Sequence, residues 1–312
     1  MKYDCFTFFN ELDLLEIRLN VLNDIVDKFV LVEATRTQQN KEKPLYYKEN
    51  KERFKEFQDK IIHIIVNDYP DNLKQWTIEN YQRNCIKRGL KDCSPDDLIV
   101  ISDLDEIPKP EILKEINNPQ NIIAFDLNCF FIYLNKLVFG FNWDHGPKAL
   151  TFKNFQTLLD DVPTNHGALD SAQNIGTTAS KVRLYSGPLQ KHILNAGWHF
   201  THAGGEKMLL EQTRAKCEGN LNCTLKDMQA HMKIKKVQDY YLVDLIIDDT
   251  YPEYIRHNIS KYKNFISSKG KFKGKTILNL HFKYMKLYKF YKRIAKNFHP
   301  DKFKKLLRKL SF

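Results

Sequence analysis

The sequence predicts an α/β fold built on a largely parallel, doubly wound sheet. Over the first 120 residues, apolar runs of strand length alternate with helical patterns, which is typical of a parallel sheet covered by helices. The chain has 312 residues and is 42% hydrophobic, so it can bury a substantial core. No repeat or low-complexity linker precedes residue 268, and we therefore predict one large domain over residues 1–267.

The predicted elements follow in chain order. The apolar and helical periodicities predict strands at 2–9, 28–33, 61–66 and 98–103, and helices at about 10–22, at 76–90 and after Pro110. Beyond residue 120, shorter apolar runs alternate with Gly, Pro, Asn and Asp; they indicate short strands at 122–126, 130–133, 150–152 and 182–185.

Three carboxylates within four residues follow the predicted strand at 98–103. Asp103 and Asp105 are two apart, so in an extended chain they point the same way. The carboxyl end of a strand is where open α/β sheets bind ligands. Carboxylate oxygens suit Mg2+ or Mn2+ bridging to phosphate. We interpret the pair as a metal site, with a solvated acidic turn as the alternative.

A second dense group of functional side chains lies at 196–206. His199 could offer a neutral imidazole to a metal whose other ligands are Asp103 and Asp105. Trp198 could stack on the face of a sugar. The alternative is that Trp198 belongs to the core and that the histidines make local hydrogen bonds.

Three further residues are candidates for binding a phosphorylated ligand. One face of the predicted helix at 76–90 carries residues spaced three or four apart, namely Trp76, Glu79, Gln82, Arg83 and Lys87. Arg83 could clamp a diphosphate or orient a carboxylate. A plain surface ion pair between Glu79 and Arg83 is the alternative. Glu33 ends the second strand, where nucleotide-binding folds place an acid on a ribose hydroxyl, although a solvated loop acid would look the same.

The positive charge is concentrated at the C-terminus. Residues 269–312 hold 15 Lys or Arg against Asp301, whereas residues 1–268 carry a net charge of −3. The apolar positions of 284–298 recur at helical spacing between lysines, which predicts a basic amphipathic tail over 268–312 that meets an anionic membrane surface. A helix packed on the body is the alternative. A near-neutral body also argues against a nucleic-acid partner.

The sequence shows no signal peptide and no apolar run long enough to span a membrane. We therefore expect a cytoplasmic protein, docked peripherally on the inner face of a membrane through the tail. The six cysteines form no C-x-x-C pair, which favours reduced thiols over a disulfide framework.

Several of these motifs, taken in order, resemble glycosyltransferase family 17 over roughly residues 1–210. The resemblance rests on segments 10–19, 32–34, 43–45, 60–62, 82–83, 103–108 and 197–200, together with Glu79. It implies a GT-A-like, Rossmann-like mixed sheet flanked by helices. It also implies an inverting, cation-dependent transfer of a sugar, with N-acetylglucosamine expected, from a UDP-sugar to a saccharide or lipid-linked glycan acceptor.

The resemblance also implies roles for individual residues. A Mn2+ or Mg2+ ion on Asp105 would stabilise charge building on the β-phosphate, and Asp103 would be shared between the ion and the ribose. Inversion further needs a carboxylate that takes the proton of the acceptor hydroxyl. Glu206, after Gly204 and Gly205, is the expected base, with Asp126 and Asp144 as alternates.

Two other functions fit parts of the sequence. A haloacid-dehalogenase-like phosphatase would use Asp103 as nucleophile and the late acids Asp248 and Asp249 for Mg2+, but Ile107 stands where that motif has Thr or Val. A non-enzymatic nucleic-acid or membrane adaptor would explain the basic tail and leave Asp105 and His199 without a role.

Overall fold

The computed structural model describes residues 1–70, 75–159, 178–216, 220–267 and 270–294, and of 75, 76 and 289–294 it describes the backbone alone. Its strands are β1 Lys2–Phe8, β2 Lys28–Ala34, β3 Ile61–Val66, β4 Leu98–Asp103, β5 Glu106–Pro108, β6 Ile122–Phe131, β7 Lys136–Trp143, β8 Lys148–Thr151, β9 Gln190–Thr201, β10 Lys236–Val237, β11 Tyr240–Ile246 and β12 Phe272–Lys273. Its α-helices are α1 Leu12–Leu22, α2 Tyr46–Glu49, α3 Gln75–Asn84, α4 Pro110–Glu115, α5 Phe152–Thr157, α6 Ala179–Leu184, α7 Gly205–Ala215, α8 Leu225–His231, α9 Glu253–His257 and α10 Gly274–Ile294. Short 3-10 helices lie at Lys51–Phe57, Cys85–Gly89 and Lys263–Phe265.

The strands form one mixed sheet. Its main path runs β10-β11-β7-β6-β8-β4-β1-β2-β3. The four strands β3, β2, β1 and β4 are parallel, β8 is antiparallel to both β4 and β6, and β7 is antiparallel to both β6 and β11. The α/β class is confirmed. The sheet beyond β4 is mixed rather than parallel throughout: β9 pairs with β6 in parallel and with β5 in antiparallel orientation.

Hydrophobic side chains cover both faces of the parallel half. Alternate residues of β1 enter different clusters: Phe6 and Phe8 pack with Leu15 of α1, whereas Tyr3 and Cys5 pack on the opposite face. This two-sided burial explains why these strands are nearly continuous apolar runs rather than alternating ones. The first four predicted strands match β1 to β4 closely.

One predicted strand is wrong. Residues 182–185 were expected to form a strand, but 179–184 form the short helix α6. The Thr178 hydroxyl accepts a hydrogen bond from the Lys181 amide and caps this helix. Ser180 of α6 binds Asn80 and Asn84 of α3, so tertiary contacts hold the short helix in place.

The first half of the predicted tail is packed on the body. β12 pairs with β11, and α10 lies against β7, where Leu278, His281 and Met285 are buried. The boundary predicted at residue 268 therefore does not separate α10 from the large domain. Residues 295–312, which carry the rest of the predicted tail, lie outside the described residues.

None of the helices in the described ranges combines the length and apolar content that a membrane span requires. The cysteines at 5, 85, 93, 129 and 223 are free thiols. Cys217 lies outside the described residues.

Candidate active site

A cavity of about 410 Å3 opens at the carboxyl ends of β1, β2 and β4. The strand order β3-β2-β1-β4 reverses direction between β1 and β4, and a crevice at such a switch point is the usual ligand site of open α/β sheets. The lining includes residues 7–9 at the end of β1, 36–38 after β2, and 103–106 at the end of β4.

A buried arginine holds the acidic loop from below. Arg18 of α1 is fully buried and forms a bidentate pair with Asp4 at 2.6 and 2.7 Å. Its guanidinium also donates to the backbone carbonyls of Asp103, Leu104 and Glu106 at 2.8 to 3.0 Å. The loop that carries the carboxylates is thus fixed by charge-assisted hydrogen bonds rather than by its own turn alone.

Two further arginines neutralise Asp103. Arg83 donates to Oδ1 at 3.2 Å and Arg183 to Oδ2 at 3.3 Å. Burial alone would raise the pKa of this carboxyl, but the two guanidinium groups outweigh it and hold the pKa well below its usual range. Asp103 is therefore ionised and paired. Arg83 contacts a carboxylate, as one of the two roles suggested for it would have it; the diphosphate clamp stays a prediction.

The β5–β9 pairing brings Asp105 and His199 together. Glu106 pairs with His199 in the antiparallel register, and Gly197 lies where a Cβ atom would meet the Ile107 carbonyl oxygen at 2.2 Å. The His199 Nε2 atom consequently lies 3.4 Å from Asp105 Oδ2. Burial would lower the pKa of His199, but the Asp105 carboxylate raises it well above its usual range.

Glu106 and Trp143 complete the wall of the cavity. Arg183 pairs with the Glu106 carboxylate, the Trp143 indole N–H donates to it, and the Asp103 amide donates to its other oxygen at 3.0 Å. The Trp143 ring lies 4.8 Å from the His199 ring, centroid to centroid.

Three residues of the site were not predicted from the sequence: Arg18, Arg183 and Trp143. A charged residue at position 18, amid the apolar residues of α1, was a signal of a buried partner. Arg183 carried no such signal, because its position depends on the packing of α6 against α3.

The rest of the cavity lining carries charges of both signs. Lys43, Arg36 and Lys216 line the cavity together with Gln82 and Arg83. The lining has one more carboxylate than it has lysines and arginines. The carboxylates are those of Glu11, Glu79, Asp103, Asp105 and Glu106. Arg83 Nε and Gln212 Oε1 are buried and have no hydrogen-bond partner among the residues that the structure describes. Unsatisfied buried polar atoms of this kind, on residues that line a cavity, are what a polar ligand would satisfy.

Glu33 is not among the lining residues. It is fully buried, accepts a hydrogen bond from the Tyr47 amide at 2.9 Å at the start of α2, and contacts His63 Nε2 at 3.0 Å. A carboxylate at a helix N-terminus is favourable. The structure thus gives Glu33 a packing role at β2 instead of the ribose contact that was predicted.

Trp198 faces away from the cavity. Successive residues of a strand point to opposite faces, so His199 and Trp198 of β9 cannot both face one site. Trp198 instead borders a second cavity of about 730 Å3 between α1, α4, α9 and α10, and its indole N–H donates to the Thr250 carbonyl at 3.3 Å. The sugar-stacking position predicted for Trp198 is therefore not on the cavity that holds the acidic loop.

The three candidate bases lie at different places. Glu206 is outside the lining: it is six residues before Gln212 on α7, about 120° around the helix, and it contacts Gln229 at 3.3 Å. Asp126 is fully buried against His192 Nδ1 at 2.6 Å. The Asp144 side chain is 44% exposed and follows the cavity-lining Trp143 directly.

A divalent cation would be held here by the Asp105 carboxylate and by the His199 imidazole, which must release a proton to bind it. Within the described ranges, no group of three His, Cys, Asp or Glu side chains is arranged to hold a metal. Mg2+ is commonly bound through one or two protein ligands, with phosphate oxygens and water completing the shell. Asp105 and His199 therefore fit a cation whose remaining ligands are phosphate oxygens and water.

The late acids do not meet Asp103. Asp248 accepts hydrogen bonds from the Thr250 hydroxyl at 2.6 Å and the Lys275 amide at 3.0 Å, at the start of α10. Asp249 lines the second cavity. The acid pair that a haloacid-dehalogenase-like site would need is thus on the other side of β9 from Asp103.

Sequence comparisons point to one family. Residues 2–150 match the model of glycosyltransferase family 17. Three curated relatives, from Homo sapiens, Rattus norvegicus and Mus musculus, are each named beta-1,4-mannosyl-glycoprotein 4-beta-N-acetylglucosaminyltransferase. Each is 28% identical over 145 residues, which cover 43% of this chain and 26% of the relative.

The matched segment thus spans about a quarter of the relatives' length. It contains Arg18, Arg83, the acidic loop and Trp143, and it ends before His199 and Arg183. The resemblance of this chain to glycosyltransferase family 17 is therefore confirmed for residues 2–150.

Proposed function

We propose that this chain is an inverting glycosyltransferase of the GT-A type that transfers a sugar, N-acetylglucosamine in our first choice, from a UDP-sugar to a saccharide or lipid-linked glycan. The observation that carries the proposal is the acidic loop at the switch point. Arg18 fixes this loop, and its Asp105 lies beside His199 at a cavity with unsatisfied polar atoms. A nucleotide-sugar is a ligand of suitable size for such a cavity.

The charges of the cavity support a cation-dependent donor. Asp103 and Glu106 are paired with Arg83 and Arg183, whereas Asp105 has no lysine or arginine partner among the described residues and is the carboxylate left for a cation that accompanies a diphosphate. Asp105 and His199 would hold Mn2+ or Mg2+, which when bound supplies Lewis-acid stabilisation of the leaving diphosphate. Asp103 stays ionised between Arg83 and Arg183, where it can orient Arg83 and accept from a ribose hydroxyl. Gln82 and Arg83 bound the same wall.

The proton acceptor is best placed at the rim. Glu206, the base expected from the resemblance, projects from the face of α7 that turns away from the lining. Asp126 is buried against His192. Asp144 also lies outside the lining, but it follows the lining residue Trp143 directly, and its 44% exposed side chain is accessible to an acceptor hydroxyl that enters from solvent. We assign the base to Asp144 and keep Glu206 as the alternative that experiment can restore.

The basic C-terminus supports a peripheral location on an anionic membrane, on the cytoplasmic face. The excess of lysine and arginine after residue 268 would attract acidic headgroups, at about 1 kcal/mol for each cation near the surface. Docking there would bring the cavity to a lipid-linked acceptor.

A thermal-shift screen tests the donor. UDP-sugars and GDP-sugars would each be added with Mn2+ and with EDTA, because a ligand at 100 times its Kd stabilises the folded state by about 2.7 kcal/mol. We expect UDP-N-acetylglucosamine with Mn2+ to raise the melting temperature and EDTA to cancel the rise. The donor proposal fails if no nucleotide-sugar shifts the transition while an unrelated ligand class does.

A further inference from the structure

The lining residues lie in a definite order across the edge of the sheet. Arg36 follows β2, Phe9 follows β1, and the acidic loop follows β4, which is the next strand along. Trp143 belongs to β7, on the far side of β8 and β6. The acidic loop thus lies between a β1–β2 end and a Trp143 end of the cavity.

The strand register places Trp143 level with the acidic loop. Ile101 of β4 pairs with Lys148, Lys148 pairs with Ala124 of β6, and Leu127 of β6 pairs with Trp143. Leu127 is three residues beyond Ala124, just as Leu104 is three residues beyond Ile101. The indole is therefore positioned to meet the loop, and its N–H reaches the Glu106 carboxylate.

The Trp143 ring is fixed and still accessible. Its N–H is bound to Glu106, its ring centroid lies 4.8 Å from that of His199 and 5.9 Å from that of His145, and the partly buried side chain lines the cavity. A preoriented indole that lines a cavity is a surface that an apolar sugar face can cover at little entropic cost.

We propose that Trp143 is the platform for the transferred sugar of the donor. This inference rests on the proposed function. If Asp105 and His199 hold the cation and diphosphate in the middle of the cavity, an extended donor places the nucleoside and the sugar, which are joined to the two ends of the diphosphate, on opposite sides of them. The mononucleotide-binding half of such sheets is the one built on β1, β2 and β3, so the nucleoside takes the Phe9 and Arg36 end. The sugar then takes the Trp143 end.

The decisive experiment compares UDP with UDP-N-acetylglucosamine by calorimetry in the presence of Mn2+. Trp143→Ala should weaken the binding of UDP-N-acetylglucosamine by about tenfold and change the affinity for UDP little, because a ring contact contributes on the order of 1 kcal/mol. Trp143→Phe keeps a ring but lacks the N–H that binds Glu106, and it should retain most of the sugar-dependent affinity. Trp198→Phe, on the other face of β9, should alter neither affinity.

Each other result has a separate meaning. Equal weakening of UDP and UDP-N-acetylglucosamine in Trp143→Ala, or weakening in Trp143→Phe as large as in Trp143→Ala, would overturn the platform and leave Trp143 as a support for Glu106. The platform would also be overturned if Trp143→Ala changed the affinity for neither ligand. Wild-type protein that binds no UDP would refute the proposed function itself, which the thermal-shift screen would detect independently.

Discussion

The single side chain of Arg18 fixes the backbone of the acidic loop at 103–106. Its guanidinium satisfies the Asp4 carboxylate and three carbonyl groups of the acidic loop in a buried setting. Removing one partner of a buried pair typically costs 3–5 kcal/mol, roughly, because the other charge is left uncompensated. The loop geometry, and hence the separation of Asp103 from Asp105, is therefore coupled to folding of β1 and α1.

Asp105 and Asp103 should respond differently to substitution. Asp105→Asn should abolish Mn2+-dependent binding of UDP with little change in stability, because its ionic partner, His199, can become neutral. Asp103→Ala should abolish donor binding and also lower the melting temperature, because Arg83 and Arg183 lose their shared carboxylate. Calorimetry and thermal unfolding measure both effects, with the surface variant Asp68→Asn as control. Tight Mn2+ and UDP binding by Asp105→Asn would show that the cation site is elsewhere.

The base can be located by kinetics. Asp144→Asn should lower kcat by about 100-fold or more and leave the affinity for the donor nearly unchanged, as loss of a general base does. Glu206→Gln should leave kcat within a few-fold, since its side chain contacts Gln229 outside the cavity. Steady-state transfer assays with both variants decide between them. The reverse pattern would return the role to Glu206.

At the scale of elements, apolar runs and helical periodicity predicted the first strands, whereas contacts that depend on tertiary packing were not predicted. β1 to β4 and the carboxylates at the end of β4 follow from apolar runs and their carboxyl-terminal polar residues. The structure places the β9 residue His199 beside Asp105, and their sharing of a metal stays a prediction. Trp198 was placed at the same site because a dense motif was treated as one surface, although strand alternation sends it to the opposite face. Arg183 could not be foreseen, since only the packing of α6 on α3 brings it to Asp103.

The helix α10 offers an element-scale test through His281. The Gly140 amide donates to Nδ1 at 3.1 Å, and Nε2 lies 2.6 Å from Asn142 Oδ1, so the neutral ring suits both partners. Gly140 itself has φ of +84°, which favours glycine at this contact. Burial lowers the pKa of His281 to about 4, below the value of about 6.5 for an unfolded histidine.

The folded pKa of His281 is thus depressed, so its contribution to stability is complete above pH 6.5 and is lost as the pH falls towards about 4. The loss could reach about 3 kcal/mol. Chemical denaturation at several pH values should show that His281→Asn unfolds with a smaller pH dependence than wild type over this window. Parallel curves for the two proteins would mean that His281 titrates normally.

At the scale of the whole molecule, charge and packing divide the C-terminus at a different place from the one predicted. Composition alone located the basic excess after residue 268 but could not distinguish residues that pack from residues that stay accessible. The buried Leu278, His281 and Met285 belong to the body, whereas Lys283, Lys286 and Leu287 of the same helix are exposed. A helix packed on the body and a helix lying on a membrane have the same apolar periodicity, so the sequence pattern did not distinguish them.

Two truncations separate anchoring from folding. Deleting 295–312 removes six lysines and arginines and one aspartate, and it leaves every described residue of α10 in place. We expect this protein to keep its thermal transition and its transfer to a soluble acceptor but to be released from phosphatidylglycerol vesicles, because each lost cation costs about 1 kcal/mol of surface attraction. Deleting 269–312 should in addition lower the melting temperature, because it uncovers the surface of β7 that α10 buries. Sedimentation with phosphatidylglycerol and with neutral phosphatidylcholine vesicles measures the attraction, and a full-length variant with Lys302, Lys304, Lys305, Arg308 and Lys309 changed to Gln is the matched control. Equal binding of all these proteins to anionic vesicles at moderate salt would rule out the tail as the membrane contact.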